Sequence, residues 1–280
     1  MPHDAKYFAC LLIILLLLPG CIPALGVSSY TLDGLERKTA LSVTGDERRE
    51  LSYLTPTDIP PGSRRVIFVH GTPGQATNYL GFLQDPPANA EVLAVDRIGF
   101  GESSRGPARF GALTRFAEQG DAITPLMQGG NASPVILVGH SLGGPIVCHL
   151  AARYPERVAG IVVLAGSVDP DLERRYWYNY AGLLSTGLIV DRRLLRANIE
   201  VFAARRETRA LAPLLSKITC PVVIIHGTGD TLVPFANTAY LTERLVNAES
   251  VKLIAIEGEG HFLPWTQTDL IRSEIEAMVR

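Results

Sequence analysis

Charge of one sign is the first thing the sequence lacks. Lysine and arginine number 26 against 28 acidic residues, a formal net charge of −2. Binding to a phosphate backbone needs a basic stripe, and none is present. A nucleic-acid partner is therefore not expected. Cysteine is scarce, at four residues. Cys148 reads as lying on a helix and Cys220 as entering a strand, so buried free thiols are expected rather than a disulfide. No repeat or low-complexity tract follows the N-terminal segment, and nothing in the sequence calls for a metal or cofactor. Long apolar runs are missing too. The run Phe8–Leu18 falls short of the roughly 20 residues that span a bilayer. What is present is an apolar fraction of 47% in 280 residues, enough for one large α/β domain or two small ones.

The Phe8–Leu18 run fits the apolar core of a secretory signal. It ends in Leu18-Pro19-Gly20-Cys21, which resembles the lipobox of bacterial lipoproteins, whose cysteine is lipidated after cleavage. Residues 1–20 are accordingly expected to be a signal peptide, Cys21 a lipidation site and residues 21–40 a tether. The protein would then be exported and held at the surface of a bacterial envelope membrane. Pro19 and Asp4 depart from that pattern. A plain signal peptide cut near Ala24-Leu25-Gly26, giving a soluble periplasmic or secreted protein, stays open, and so does an uncleaved anchor.

Beyond the tether, Leu51–Leu54 reads as a strand near a sheet edge. Val66–Val69 is a short, fully apolar run of the kind that forms a parallel strand buried on both faces. The pattern returns at Val92–Val95, Val135–Val138, Ile161–Leu164, Val222–Ile225 and Val251–Ile256. Helical stretches alternate with these strands at Ala76–Leu83, Phe110–Met127, Leu142–Arg153, Phe235–Val246 and Leu270–Val279. Such alternation predicts an α/β fold with a mostly parallel sheet of about eight strands and helices on both faces. One interval, between Leu164 and Val222, is too long for a simple crossover. It predicts a helical cap over residues 169–215, inserted into a core of residues 41–168 and 216–280.

Gly139-His140-Ser141-Leu142-Gly143 follows the strand Val135–Val138 directly and opens a helix. In a strand–turn–helix setting, G-x-S-x-G presents a serine hydroxyl at the carboxyl edge of the sheet, beside the free N–H groups of a helix N-terminus. A hydroxyl needs a base to become a nucleophile. Of the six histidines, His261 lies in a loop just after the last strand, at the same sheet edge. An imidazole needs an acid to fix its tautomer. Asp230 follows the strand Val222–Ile225 and gives the chain order Ser, Asp, His; Asp169, a few residues after Leu164, is its rival. An oxyanion would need backbone donors. Leu142 supplies one and Thr72 the other, because Pro73 has no N–H. His70 reads as a structural residue of that loop.

HGTPG at 70–74, DRIGFGES at 96–103, GHSLGG at 139–144, HGTGDTLVP at 226–234 and GEGHF at 258–262 together resemble the α/β-hydrolase superfamily over about residues 45–280. Within it the chain is similar to cap-bearing esterases, proline iminopeptidases and carbon–carbon hydrolases. Dehalogenases and epoxide hydrolases carry aspartate where Ser141 stands, which argues against both chemistries. The resemblance implies a serine hydrolase acting on a small ester-like molecule through Ser141, Asp230 and His261, with Asp96-Arg97 shaping a loop. Prolyl amide or carbon–carbon cleavage are alternatives on the same residues, and a catalytically silent binding protein is the alternative of another class. Tyr176-Trp177-Tyr178-Asn179-Tyr180 with Leu183, Leu184, Leu188 and Ile189 would give the cap an apolar and aromatic surface. Residues 171–209 carry eight arginines against five acidic residues. They read as a solvated helical face, with contact to anionic lipid as the alternative.

Overall fold

A computed structural model describes residues 31–44, 47–104, 113–128, 133–173, 175, 179–180 and 192–279. The expected signal, the expected lipidation site Cys21, and Tyr176–Tyr178 with Leu183, Leu184, Leu188 and Ile189 lie outside these residues. Eight strands form one sheet: β1 (Leu35–Thr44), β2 (Glu47–Pro56), β3 (Arg64–Val69), β4 (Ala90–Val95), β5 (Val135–His140), β6 (Val158–Leu164), β7 (Val222–Gly227) and β8 (Val251–Ile256). Their order is β1-β2-β4-β3-β5-β6-β7-β8. From β4 through β3 to β8 every pairing is parallel, while β1 and β2 form an antiparallel pair attached to β4. The expected α/β architecture with a mostly parallel sheet is what the chain adopts.

Period-2 alternation splits the central strands between two cores. Ile67 and Val69 face one with Leu137, Val163 and Ile224, while Val66 and Phe68 face the other with Val138, Val162 and Ile225. Helix α1 (Leu80–Gln84), entered through a 3-10 turn at Ala76–Tyr79, covers the second core through Phe82 and Leu83. Helix α2 (Phe116–Ile123) and helix α3 (Gly143–Arg153) cover the first, through Phe116, Ile123, Ile146, Val147 and Leu150. Pro145 fits α3 because it sits in the first turn, where an N–H has no helical acceptor. Between β6 and β7 lies the 20-residue helix α4 (Arg192–Leu211). Helices α5 (Asn237–Arg244), α6 (Leu263–Thr266) and α7 (Thr268–Val279) complete the described set. Ile271 and Ile275 of α7 close the second core.

Three sequence expectations need correction. Residues 35–40, assigned to a tether, form the first half of β1. Their charged sequence, with Arg37, Lys38 and Thr39 all exposed, suits an edge strand. Second, β8 is also an edge strand, with Lys252, Leu253 and Ala255 exposed. Its apolar run had suggested burial on both faces. Third, α2 is shorter than Phe110–Met127: it gives way at Thr124 to a 3-10 turn holding Pro125, which cannot donate to a helical ladder. The two described cysteines are buried and unbridged, as expected. Burial pushes the Cys148 thiol far above its ordinary value and that of Cys220 up to about 11, so both stay protonated.

Candidate active site

Ser141 stands in the turn between β5 and α3 with φ of +56°. A non-glycine residue in this left-handed region carries strain of order 1–2 kcal/mol, which the surroundings must hold in place. They do so through backbone bonds. Ser141 N–H donates to Leu164 O at 2.9 Å, and Ser141 O accepts from Gly144 N–H at 3.0 Å and Ser167 N–H at 3.3 Å. The strand and helix can close on this turn only because two flanking residues lack side chains. A Cβ on Gly139 would sit 2.4 Å from Gly143 O, and one on Gly143 would sit 2.1 Å from Val69 O.

His261 and Asp230 are in contact. His261 Nδ1 lies 2.7 Å from Asp230 Oδ2. The other carboxylate oxygen, Oδ1, accepts from the N–H groups of Leu232 and Val233, each at 2.8 Å. Burial alone would raise the Asp230 pKa. Hydrogen bonds from His226 and His261, and the latter's charge, overcome that and hold the carboxyl well below its usual range. The consequence for stability has a definite sign. Above pH ~4, where the unfolded carboxyl is also ionised, the full contribution is present; as pH falls toward the depressed folded value it is lost. Wild-type protein should therefore lose melting temperature more steeply below about pH 4 than Asp230→Asn does, which thermal scans across that window would check.

Two further histidines join the cluster. His226 Nε2 lies 2.9 Å from Val233 O and 3.4 Å from Asp230 Oδ2. His140 Nε2 lies 2.9 Å from the carbonyl oxygen of His261. Burial, then the neighbouring His261, push the His140 pKa down to about 3. A neutral ring whose Nε2–H donates to a carbonyl ties the residue before Ser141 to the backbone of His261. Sequence reasoning had passed over both. His226 lies four residues before Asp230, and that spacing at a strand end was the available signal. The rival acid Asp169 is engaged in its own turn: its Oδ1 accepts from Asp171 N–H and its N–H donates to Asn237 Oδ1.

The loop after β3 lies against Ser141. A Cβ built on Gly71 would meet Ser141 Cβ at 2.7 Å and Ser141 Oγ at 3.2 Å. Among the described residues neither Thr72 N–H nor Leu142 N–H donates to a backbone carbonyl. His70 is buried, with Nδ1 2.7 Å from Gly71 O and Nε2 accepting Arg97 N–H at 3.0 Å. Burial, reinforced by Arg97, holds its pKa well below the ordinary value, so the ring is neutral with its proton on Nδ1. This is the structural role expected of it. Gly71→Ala should push the loop off Ser141 and lower kcat by roughly 100-fold with a folded circular-dichroism spectrum. Unchanged turnover would mean that this approach has no part in activity.

Asp96 and Arg97 shape the loop after β4, as expected. The Asp96 carboxylate accepts from Ala76 N–H at 2.7 Å, Glu102 N–H at 3.1 Å and Arg37 at 2.5 Å. Arg97, fully buried, makes a bidentate pair with Glu200 of α4 at 2.7 and 2.9 Å and donates to Gly71 O at 2.8 Å. Removing one partner of such a buried pair strands the other charge, at a cost of about 3–5 kcal/mol. Among the described residues no group of histidine, cysteine or acidic side chains has the arrangement to hold a metal.

Comparison with known proteins agrees with this fold. The sequence profile of the α/β-hydrolase fold family matches residues 64–186, and that of the prolyl oligopeptidase family matches residues 128–278. A bifunctional esterase/perhydrolase of Acinetobacter calcoaceticus is 25% identical, over 77% of this chain and 91% of its own length. A monoacylglycerol lipase of Mycolicibacterium smegmatis is 28% identical, over 74% and 83%. Among solved structures, an α/β hydrolase from a Medee basin deep-sea metagenome library superposes with a TM-score of 0.69 at 18% identity, covering 85% of this chain and 96% of its own. A bacterial membrane phospholipase A superposes with a TM-score of 0.61 at 18% identity, covering 99% and 98%. Sheet order, the turn at Ser141 and the two profile matches, which together span residues 64–278, converge on one conclusion: the chain belongs to the α/β-hydrolase superfamily.

Proposed function

We propose that this protein is a serine hydrolase that cleaves a carboxylic ester of a small molecule through an acyl-enzyme. Ser141 is the nucleophile, His261 the general base and Asp230 the acid that orients it. The contact between His261 Nδ1 and Asp230 Oδ2, at 2.7 Å, carries the reading. It puts the imidazole proton on Nδ1 and leaves the Nε2 lone pair to take the Ser141 proton. Ser141 Oγ then attacks the ester carbonyl carbon. The tetrahedral oxyanion is held by the N–H groups of Thr72 and Leu142. The bond to the leaving alkoxide breaks, and His261 returns the proton to it. Water, activated by the same imidazole, releases the acid and frees Ser141.

Relatives named as an esterase/perhydrolase and a monoacylglycerol lipase favour an ester over an amide. Residues 169–215 are read as a cap above this site, with α4 as its longest described element, and residues 1–20 as an export signal with lipid at Cys21. Mass spectrometry of the mature N-terminus tests that anchor, and a free residue 27 would exclude it. A fluorophosphonate probe should label Ser141. A panel of p-nitrophenyl esters, prolyl amides and ring-cleavage diketones should show turnover confined to the esters. Absence of labelling in folded protein would overturn the reading.

A further inference from the structure

We infer that Arg97 and Glu200 are positioning residues for the oxyanion donor, acting through the peptide unit that joins Gly71 to Thr72. This deepens the ester-hydrolase reading and rests on it. The carbonyl of that peptide is Gly71 O and its N–H is the proposed donor of Thr72. In a trans peptide the two point in opposite directions, so whatever holds the carbonyl also aims the N–H. Two donors hold it: His70 Nδ1 at 2.7 Å and Arg97 Nη2 at 2.8 Å.

The Arg97 contribution is charged and buried. A cation bonded to a carbonyl draws electron density toward oxygen and leaves the N–H of the same amide a stronger donor. Arg97 is in turn fixed from outside the sheet. Glu200 grips its Nη1 and Nη2 through both carboxylate oxygens, and the Phe100 ring lies 4.8 Å from the guanidinium carbon. Glu200 sits on α4, the described helix of the β6–β7 insertion. Arg196, one turn earlier on α4, donates to Gly99 O in the same loop as Arg97. The helix proposed as a cap is thus wired to the oxyanion loop through one buried ion pair, and its seating sets the strength of the oxyanion hole.

A merely structural ion pair predicts something different, and a paired substitution separates the two. Arg97→Met with Glu200→Leu removes both charges together, which a well-packed interior tolerates far better than losing one. It also removes the cationic donor to Gly71 O. The double variant should melt near the wild type, keep KM within about twofold, and lose roughly 10- to 100-fold in kcat, up to the loss of one oxyanion donor. Affinity for a trifluoromethyl ketone should fall by the same factor as kcat/KM. That inhibitor adds to Ser141 Oγ with the serine proton passing to His261, and its oxyanion is judged by the same donors. Glu200→Gln keeps one acceptor and should lose about 3- to 10-fold in kcat. A folded double variant with wild-type kcat and inhibitor affinity would overturn the inference. Should that variant not fold, unchanged kcat in folded Glu200→Gln overturns it instead. Fluorophosphonate labelling of wild type and Ser141→Ala separates the two readings: without labelling of Ser141 the hydrolase reading itself fails, and with it only the positioning role is in question.

Discussion

Ser141→Ala should abolish fluorophosphonate labelling and lower ester turnover by about 10⁶-fold, the scale at which serine triads lose activity when the nucleophile goes. The melting temperature should stay within a few degrees of wild type. The reason lies in what holds the turn. The bonds to Leu164, Gly144 and Ser167 all use backbone atoms of residue 141. Alanine keeps the Cβ, so the cost of φ at +56° is the same in both proteins. Only the hydroxyl leaves. Initial rates on p-nitrophenyl esters, with a thermal melt as control, would show the effect. Esterase activity surviving at wild-type level would remove Ser141 from the chemistry and the proposed function with it.

The sequence carried the centre of this fold and less of its margins. Val66–Val69 and Val135–Val138 are buried at every position; a strand covered on both faces has no polar side to present, so its apolar run is a direct signature. At the sheet edges that signature fails in both directions. The run Val251–Ile256 is apolar yet lies at the edge, and Leu35–Ala40 is rich in charge yet pairs along its length with β2. Edge position is decided by which strands arrive elsewhere in the chain, and no window of six residues contains that.

The candidate site divides in the same way. Ser141 was legible because the elbow is local: one turn dictates glycine at both flanks, and the contacts of Gly139 and Gly143 bear out that demand. Asp230 and His261 were legible through their places at the ends of β7 and β8. The pairing of Arg97 with Glu200 spans 103 residues and leaves no local trace; Arg97 reads only as part of a loop and Glu200 only as part of a solvated helical face. His140 occupies an unspecified position of G-x-S-x-G, and only its 2.9 Å approach to the His261 carbonyl gives it a task.

Asp230→Asn is the variant that tests the acid, and kcat should fall about 10⁴-fold. The amide can still accept the N–H groups of Leu232 and Val233 through its oxygen, so the loop after β7 should hold its shape. What changes is the atom facing His261. An amide NH₂ in the place of Oδ2 donates where the carboxylate accepted, and it can do so only to an unprotonated Nδ1. The imidazole proton is then driven to Nε2, the nitrogen that must receive the proton of Ser141. The base is present but in the wrong tautomer, and the charge it acquires in the transition state has lost its counter-ion. Asp169→Asn is the matched control. Asp169 accepts from Asp171 N–H, which asparagine also allows, so kcat should stay within about threefold. Equal loss in both variants would point to a shared structural effect. The reverse order, with Asp169 the more sensitive, would move the acid from the end of β7 to the segment after β6.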